Sequence, residues 1–194
     1  MDVMKFTEIE HKFLVNDGFD LDGFSVALDA LGPTRRTRLQ VRDRYFMTED
    51  GEARRYILRH RFDPQLNQLT IKALEADPEV RAEISLDLGH HLGSQDAAVD
   101  AFVARQGVTW SGSLEKDLTV WYFPDCEVVH YVASTDGRTV RIVEFEATVK
   151  KSVEDALLIL TRYERATGFD ASTRSMRSLV GLLFPDVFTS DHSL

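Results

Sequence analysis

Apolar and polar positions alternate with period two over most of the chain, the spacing of a half-buried strand whose successive side chains take opposite faces. Eight segments read this way, at roughly 4–15, 38–48, 54–63, 67–74, 79–88, 114–123, 126–135 and 138–149. Turn-forming stretches separate several of them: Glu49-Asp50-Gly51-Glu52, Asp63-Pro64-Gln65 and Thr135-Asp136-Gly137, whose Asp-Gly pair suits a turn at positive φ. Helical spacing is rarer. Residues 22–31 carry Phe24, Leu28 and Leu31 and stop at Gly32-Pro33, and 95–106 run from Ser94 to Gly107. Ser152 is the N-cap of a longer helix with Leu157, Leu158, Leu160 and Tyr163 that ends at Gly168, and a last helix is expected over 172–183. Meandering strands with helices at intervals predict the α+β class, an eight-stranded antiparallel β-barrel or sandwich.

The polar positions of these strands are ionic. Glu8, Glu10 and Lys12 share one face of the first strand, and Arg59 and Arg61 share a face of the third, opposite Tyr56, Leu58, His60 and Phe62. Thr70 and Lys72, then Arg81, Glu83 and Ser85, and finally Glu144, Glu146 and Thr148 repeat the pattern, each set opposite an apolar face. A barrel can turn the apolar face inward, as a lipocalin does, or line its lumen with the charges and pack helices outside. Both signs at close spacing favour the second arrangement, and charges placed inside require pairing or an ionic ligand. Lys12, Arg59, Arg61, Lys72 and Arg81, with Lys116 as a sixth, suit phosphate oxygens, while Glu8, Glu10, Glu83, Glu144 and Glu146 suit a hard divalent cation such as Mg²⁺ or Mn²⁺. Charge matching to so many cations points to a chain of two or three phosphates.

Composition narrows the partners. The chain has 194 residues, enough for one domain of about 1–194 with a core over 5–180, and its net charge of -9 makes it a poor non-specific binder of nucleic acid or anionic lipid. No run of apolar residues is long enough for a spanning helix, no secretory segment opens the chain, and the single cysteine, Cys126, forms no internal disulfide, so a cytoplasmic protein is expected. Asp125 and Glu127 flank Cys126 and argue against a thiolate nucleophile. His90-His91 is read as a loop pair, Thr34-Arg35-Arg36-Thr37-Arg38 as a solvated basic surface, and Tyr45, Phe46, Trp110 and Trp121 as core aromatics before ring-stacking groups. P-loop and dinucleotide-binding glycine motifs are absent.

The ordered set of strand motifs resembles the CYTH superfamily of triphosphate tunnel metalloenzymes. Glu8-Ile9-Glu10-His11-Lys12 is similar to the family's E-x-E-x-K strand and Asp43-Arg44-Tyr45-Phe46-Met47-Thr48 to its aspartate-tyrosine strand. Leu58-Arg59-His60-Arg61, Thr70-Ile71-Lys72, Arg81-Ala82-Glu83 and Glu144-Phe145-Glu146 resemble L-R-x-R, T-x-K, R-x-E and the late E-x-E, and Thr173 to Leu179 its C-terminal helix. The resemblance implies an eight-stranded tunnel in which Lys12, Arg59, Arg61, Lys72 and Arg81 hold a triphosphate and Glu8, Glu10, Glu144 and Glu146 hold one or two Mg²⁺ or Mn²⁺. The chain departs from the family at Lys116, where no arginine follows two residues on, at His130 to Ser134, which lack the usual acid, and at Ser85, where some members carry one.

These readings predict metal-dependent attack of water on a small-molecule triphosphate, inorganic triphosphate ahead of ATP or thiamine triphosphate. Glu8, Glu10 and Glu146 would hold one cation and Glu144 lie near a second; Lys72 is a candidate general base, with phosphate ligation as its alternative role. A class IV adenylyl cyclase, a thiamine triphosphatase, a non-catalytic polyphosphate or nucleotide sensor and a carrier of apolar ligands are the competing classes. A homodimer is left open.

Overall fold

The alternation is realised as β1 (Thr7–Val15), β2 (Arg35–Thr48), β3 (Tyr56–Phe62), β4 (Asn67–Ala73), β5 (Val80–Asp87), β6 (Val108–Tyr122), β7 (Cys126–Ser134) and β8 (Thr139–Ala147). The computed structural model, which describes residues 3–74 and 79–188, closes these strands into an antiparallel barrel in the order β1-β5-β4-β3-β2-β6-β7-β8. β2 begins at Arg35 rather than 38 and β6 at Val108 rather than 114, because the two pair from Arg35↔Tyr122 to Thr48↔Val108. Ser111-Gly112-Ser113, ahead of the predicted strand, stays in the ladder opposite β2.

Among the described residues six α-helices accompany the barrel: α1 (Leu21–Ala30), α2 (Glu49–Arg54), α3 (Asp96–Ala104), α4 (Val153–Thr167), α5 (Leu179–Leu183) and α6 (Pro185–Phe188). α1 and α4 pack outside β1, β7 and β8, burying Phe24, Leu28 and Leu160 against Ile9, Phe13, Val128 and Phe145. α3 covers Phe46 and Leu58 with Val99 and Val103. As the sequence predicts, the Ser152 hydroxyl caps α4 by accepting from the Asp155 N–H at 3.1 Å, and Gly168 ends it at φ 82°. Among the described residues no helix is long and apolar enough to cross a membrane.

Four local expectations are corrected. Glu49 to Glu52 form the first turns of α2 rather than a hairpin turn, because the Thr48 hydroxyl accepts from the Gly51 N–H at 2.9 Å and acids occupy the helix start. The Thr135 N–H closes the β7–β8 turn on the Arg138 carbonyl at 2.9 Å, with neither Asp136 nor Gly137 at positive φ. Gln95, in the left-handed region, precedes α3 without a side-chain cap, so Ser94 is not its N-cap. Instead of one helix over 172–183, a single 3-10 turn (Ala171–Thr173) leads into an extended stretch that bridges Arg174 to Phe13, and helix resumes only at α5. That stretch is held on β1, where the Ser175 N–H donates to the Lys12 carbonyl at 2.7 Å.

A larger correction concerns the barrel interior. The chain turns α5 into the lumen, where Leu179, Val180, Leu182 and Leu183 pack on the inward Val41, Tyr45, Met47, Leu114, Leu118, Tyr131 and Ile142. The ionic inner face therefore belongs to β1, β3, β4, β5 and part of β8. The inner faces of β2, β6 and β7 are largely apolar and are covered at one end by α5. Outside, Ile71, Ile84 and Leu86 of β4 and β5 stay exposed, so helices do not cover the whole outer surface.

Candidate active site in the barrel lumen

Register decides which side chains meet. Glu8 lies opposite Arg81, Lys72 opposite Glu83, Arg59 opposite Thr70, and Asp43 opposite Arg61. Across the β1–β8 seam, Lys12 faces Glu144 and Glu10 faces Glu146. Directly opposed residues share a face of the sheet, so all of these point inward. All but Asp43, Thr70 and Glu83 line a cavity of about 190 Å³ that also meets Lys116, Tyr131 and Glu127. All the acidic and basic candidates named from the sequence are thereby brought together apart from Glu83, which approaches the cavity through its partners Arg59 at 3.0 Å and Lys72 at 2.8 Å.

Ion pairs satisfy most of the cage. Glu8 accepts from Lys72 at 3.2 Å and from Arg81 at 2.5 Å; Arg81 also reaches Glu10. Lys12 lies between Glu10 at 3.1 Å and Glu144 at 3.3 Å, and Glu144 accepts from the Tyr131 hydroxyl at 2.7 Å. Burial alone would push the Glu8 carboxyl up, but Lys72 and Arg81 outweigh it and hold Glu8 well below the usual carboxylate range. Glu146 is the exception. No cation pairs with it among the described residues, and burial, reinforced by Glu8, Glu10 and Glu127, pushes its carboxyl well above that range. Among the described residues, no three acids converge closely enough to hold a metal as the side chains stand, Glu8 and Glu10 being engaged by Arg81.

Three inward groups were not among the site residues named from the sequence, although Asp43 stood in one of its strand motifs. Asp43 is fully buried and accepts from Arg61 at 2.7 and 2.8 Å and from Lys116 at 2.9 Å. Glu127 lies opposite Glu146 and supplies an acid on β7, upstream of His130 to Ser134. Tyr131 sits with its ring centroid 5.0 Å from the Lys116 ammonium. Ser85 hydrogen-bonds Thr70 at 2.9 Å. The other candidates stay outside the cage: Trp121 is buried with its indole N–H 3.2 Å from Asp29, Trp110 packs on Phe184, and His90 lies in the loop between β5 and α3, bound to the Asp63 carbonyl at 2.9 Å. Arg35 and Arg36 stack on Tyr122 and Trp121, and Arg38 is paired with Asp117.

A closed antiparallel barrel with an ionic inner wall, entered by side chains in the order E-x-E-x-K, R-x-R, T-x-K, R-x-E, E-x-E, defines a narrow class of protein. The chain belongs to the CYTH family, whose domain matches residues 7–172. Among solved structures it is similar to the PH1012 protein of Pyrococcus horikoshii OT3, with a TM-score of 0.69 at 18% identity over 91% of this chain and 99% of that one. A Bacillus halodurans protein assigned by name to the adenylate cyclases matches with a TM-score of 0.57 at 17% identity over 92% and 99%. HpAC1 of Hippeastrum, named with the adenylyl cyclases and described as having a dominant triphosphatase activity, matches with a TM-score of 0.54 at 16% identity over 95% of each chain. At these identities the likeness establishes the fold. No curated protein matches the chain significantly.

Proposed function

We propose that the chain hydrolyses a linear triphosphate held against the ionic wall of the lumen, with inorganic triphosphate as the preferred substrate ahead of ATP and thiamine triphosphate. The observation that carries this reading is the convergence of Lys12, Arg59, Arg61, Lys72, Arg81 and Lys116 on one cavity. Family membership and the triphosphatase activity described for HpAC1 support it. Phosphate oxygens entering the cavity can replace carboxylates as partners of these cations, bidentately at arginine and as point contacts at lysine. Lys72, which donates to Glu8 and is paired with Glu83, is assigned to phosphate binding rather than to base catalysis.

The donor set fits a hard divalent cation, Mg²⁺ or Mn²⁺, because Glu146 is a buried carboxyl without a cationic partner in a row of acids. Glu8, Glu10 and Glu146 would hold the ion, with Glu144 and Glu83 nearby. Bound there, it would neutralise phosphate charge and acidify the attacking water. Arg81 links the two functions: moving from Glu8 and Glu10 onto phosphate, as Lys72 and Lys12 also can, it releases its hold on both carboxylates. Lys12, Arg59 and Arg61 then stabilise charge that spreads over the transferred group as water attacks the terminal phosphorus and diphosphate leaves.

Phosphate release from inorganic triphosphate, ATP and thiamine triphosphate, each with Mg²⁺, Mn²⁺ or chelator, tests this reading, with cyclic AMP assayed in the ATP samples. Metal-dependent release, greatest on inorganic triphosphate and abolished in a folded Glu8→Gln variant, is expected. Full turnover in Glu8→Gln would overturn the metal assignment. Cyclic AMP would reassign the site to cyclisation. Silence on all three while triphosphate still raises the melting temperature would leave a binding protein.

A further inference from the structure

Asp43 differs from every other acid in the cage. Glu8 and Glu10 stand among the cations and line the cavity, and Glu83 stands between Arg59 and Lys72 with 18% of its side chain exposed, so an entering phosphate can take their place. Asp43 stands behind its cations: it has no solvent exposure, whereas the Arg61 side chain keeps 18% and that of Lys116 8%. β2 sets this depth. Val41, Asp43 and Tyr45 are among its inward positions, Arg42 and Arg44 point outward to α3, and the register puts Asp43 opposite Arg61 on β3 and Leu114 on β6.

Both carboxylate oxygens are committed. Oδ1 accepts from Arg61 Nε at 2.7 Å, and Oδ2 accepts from Arg61 Nη2 at 2.8 Å and from Lys116 Nζ at 2.9 Å. The fork occupies the Nε–Nη2 edge of the guanidinium. Three of its five N–H groups are left, all on the side away from the fork. One carboxylate thus fixes the plane of an arginine on β3 and the tip of a lysine on β6, two strands that are not neighbours in the barrel.

We propose that Asp43 is a positioning residue for triphosphate, holding Arg61 and Lys116 in the orientation that receives phosphate while itself remaining out of reach of the substrate. The assignment rests on the reading of the lumen as a triphosphate site. A plain structural role is the rival, since buried ion pairs are often replaceable without loss of fold. The two differ in their coupling. A positioning residue acts only through the groups it positions, so its loss should add much less once Arg61 has gone, with only its hold on Lys116 left to lose.

The test is a double-mutant cycle with Asp43→Asn and Arg61→Gln, measured as KM and kcat for inorganic triphosphate and, independently, as its Kd by calorimetry. Asn keeps the shape but offers one acceptor, so the fork opens. Asp43→Asn is expected to raise Kd about tenfold, to lower kcat/KM at least as much, and to add only about threefold on the Arg61→Gln background, the share exerted through Lys116. The same tenfold loss on both backgrounds overturns the proposal, as does unchanged KM and Kd with only a lowered melting temperature. Should Asp43→Asn fail to fold, the cycle is run with Lys116→Met in all four proteins, which removes the cation left without a counter-charge. Binding without turnover in the wild type would defeat the hydrolase reading alone, because the cycle is still read in Kd. Neither binding nor turnover would overturn both.

Discussion

Glu127 and Glu146 face each other across the β7–β8 ladder, and Glu10 continues their row on β1. Like charges directly opposite in a sheet are destabilising, by roughly 0.2–1 kcal/mol, and here burial adds to the repulsion. Glu146→Gln is therefore expected to stabilise the metal-free protein by about 1 kcal/mol, or roughly 2–4 °C in melting temperature. Mg²⁺ or Mn²⁺ should raise the melting temperature of the wild type and leave that of the variant unchanged. Equal stabilisation of both proteins by metal would remove Glu146 from the metal site.

The same row shows how far the sequence could be read. Period-two alternation identifies the strands, and the phase of each charged set identifies the ionic wall, because Glu8-x-Glu10-x-Lys12 must share a face whatever the fold. Glu127 was within reach. The Thr135–Arg138 turn fixes the hairpin register, and counting back along both strands from Ser134↔Thr139 puts Glu127 opposite Glu146. Asp43 was harder: it was matched to the aspartate-tyrosine strand without a role, and only β3, by placing Arg61 across from it, gives it one. The interior helix was not legible. Leu179, Val180, Leu182 and Leu183 form an apolar run that suits an outer or an inner surface equally, and only the inward Val41, Leu118 and Ile142 settle which.

Because α5 is the stopper of the apolar end, its side chains carry stability out of proportion to its length. Leu183 is 2% exposed and lies in the interior cluster. Truncation to alanine removes buried methyl groups and leaves a cavity that a closed barrel cannot readily collapse. Leu183→Ala is expected to cost about 2–5 kcal/mol, visible as a lower midpoint in denaturant unfolding with an unchanged slope. A loss below about 0.5 kcal/mol, the range of ordinary surface substitutions, would mean that α5 is not packed in the lumen.

Cys126 lies against the outer core with no exposed surface, and burial, assisted by Asp125 and Glu146, pushes its thiol far above the usual range. The thiolate is the reactive form. The folded protein should resist a thiol-reactive chromogen at pH 8 and take up one equivalent in denaturant. Rapid labelling of the native protein would show that the outer packing of α4 on β7 opens.

Lys116 gives the lumen a pH dependence of definite sign. Burial, with Arg61 and Arg59 adding to it and Asp43 opposing it, pushes its ammonium down to about 8. Below that pH the folded protein holds the charge; between about 8 and the unfolded value of about 10.4 the unfolded chain binds the extra proton, so this group's contribution to stability grows as pH rises. Ligand binding runs the other way. A triphosphate favours the charged lysine, so its Kd should be flat from pH 6.5 to 7.5 and rise by up to about tenfold per pH unit above 8, until the pKa of the bound state is reached. Calorimetry at pH 7 and 9.5 checks this, with Lys116→Arg as the control, because guanidinium stays charged throughout and should flatten the profile. A wild-type Kd that does not change over that interval, or that changes equally in Lys116→Arg, would take Lys116 out of the phosphate cage.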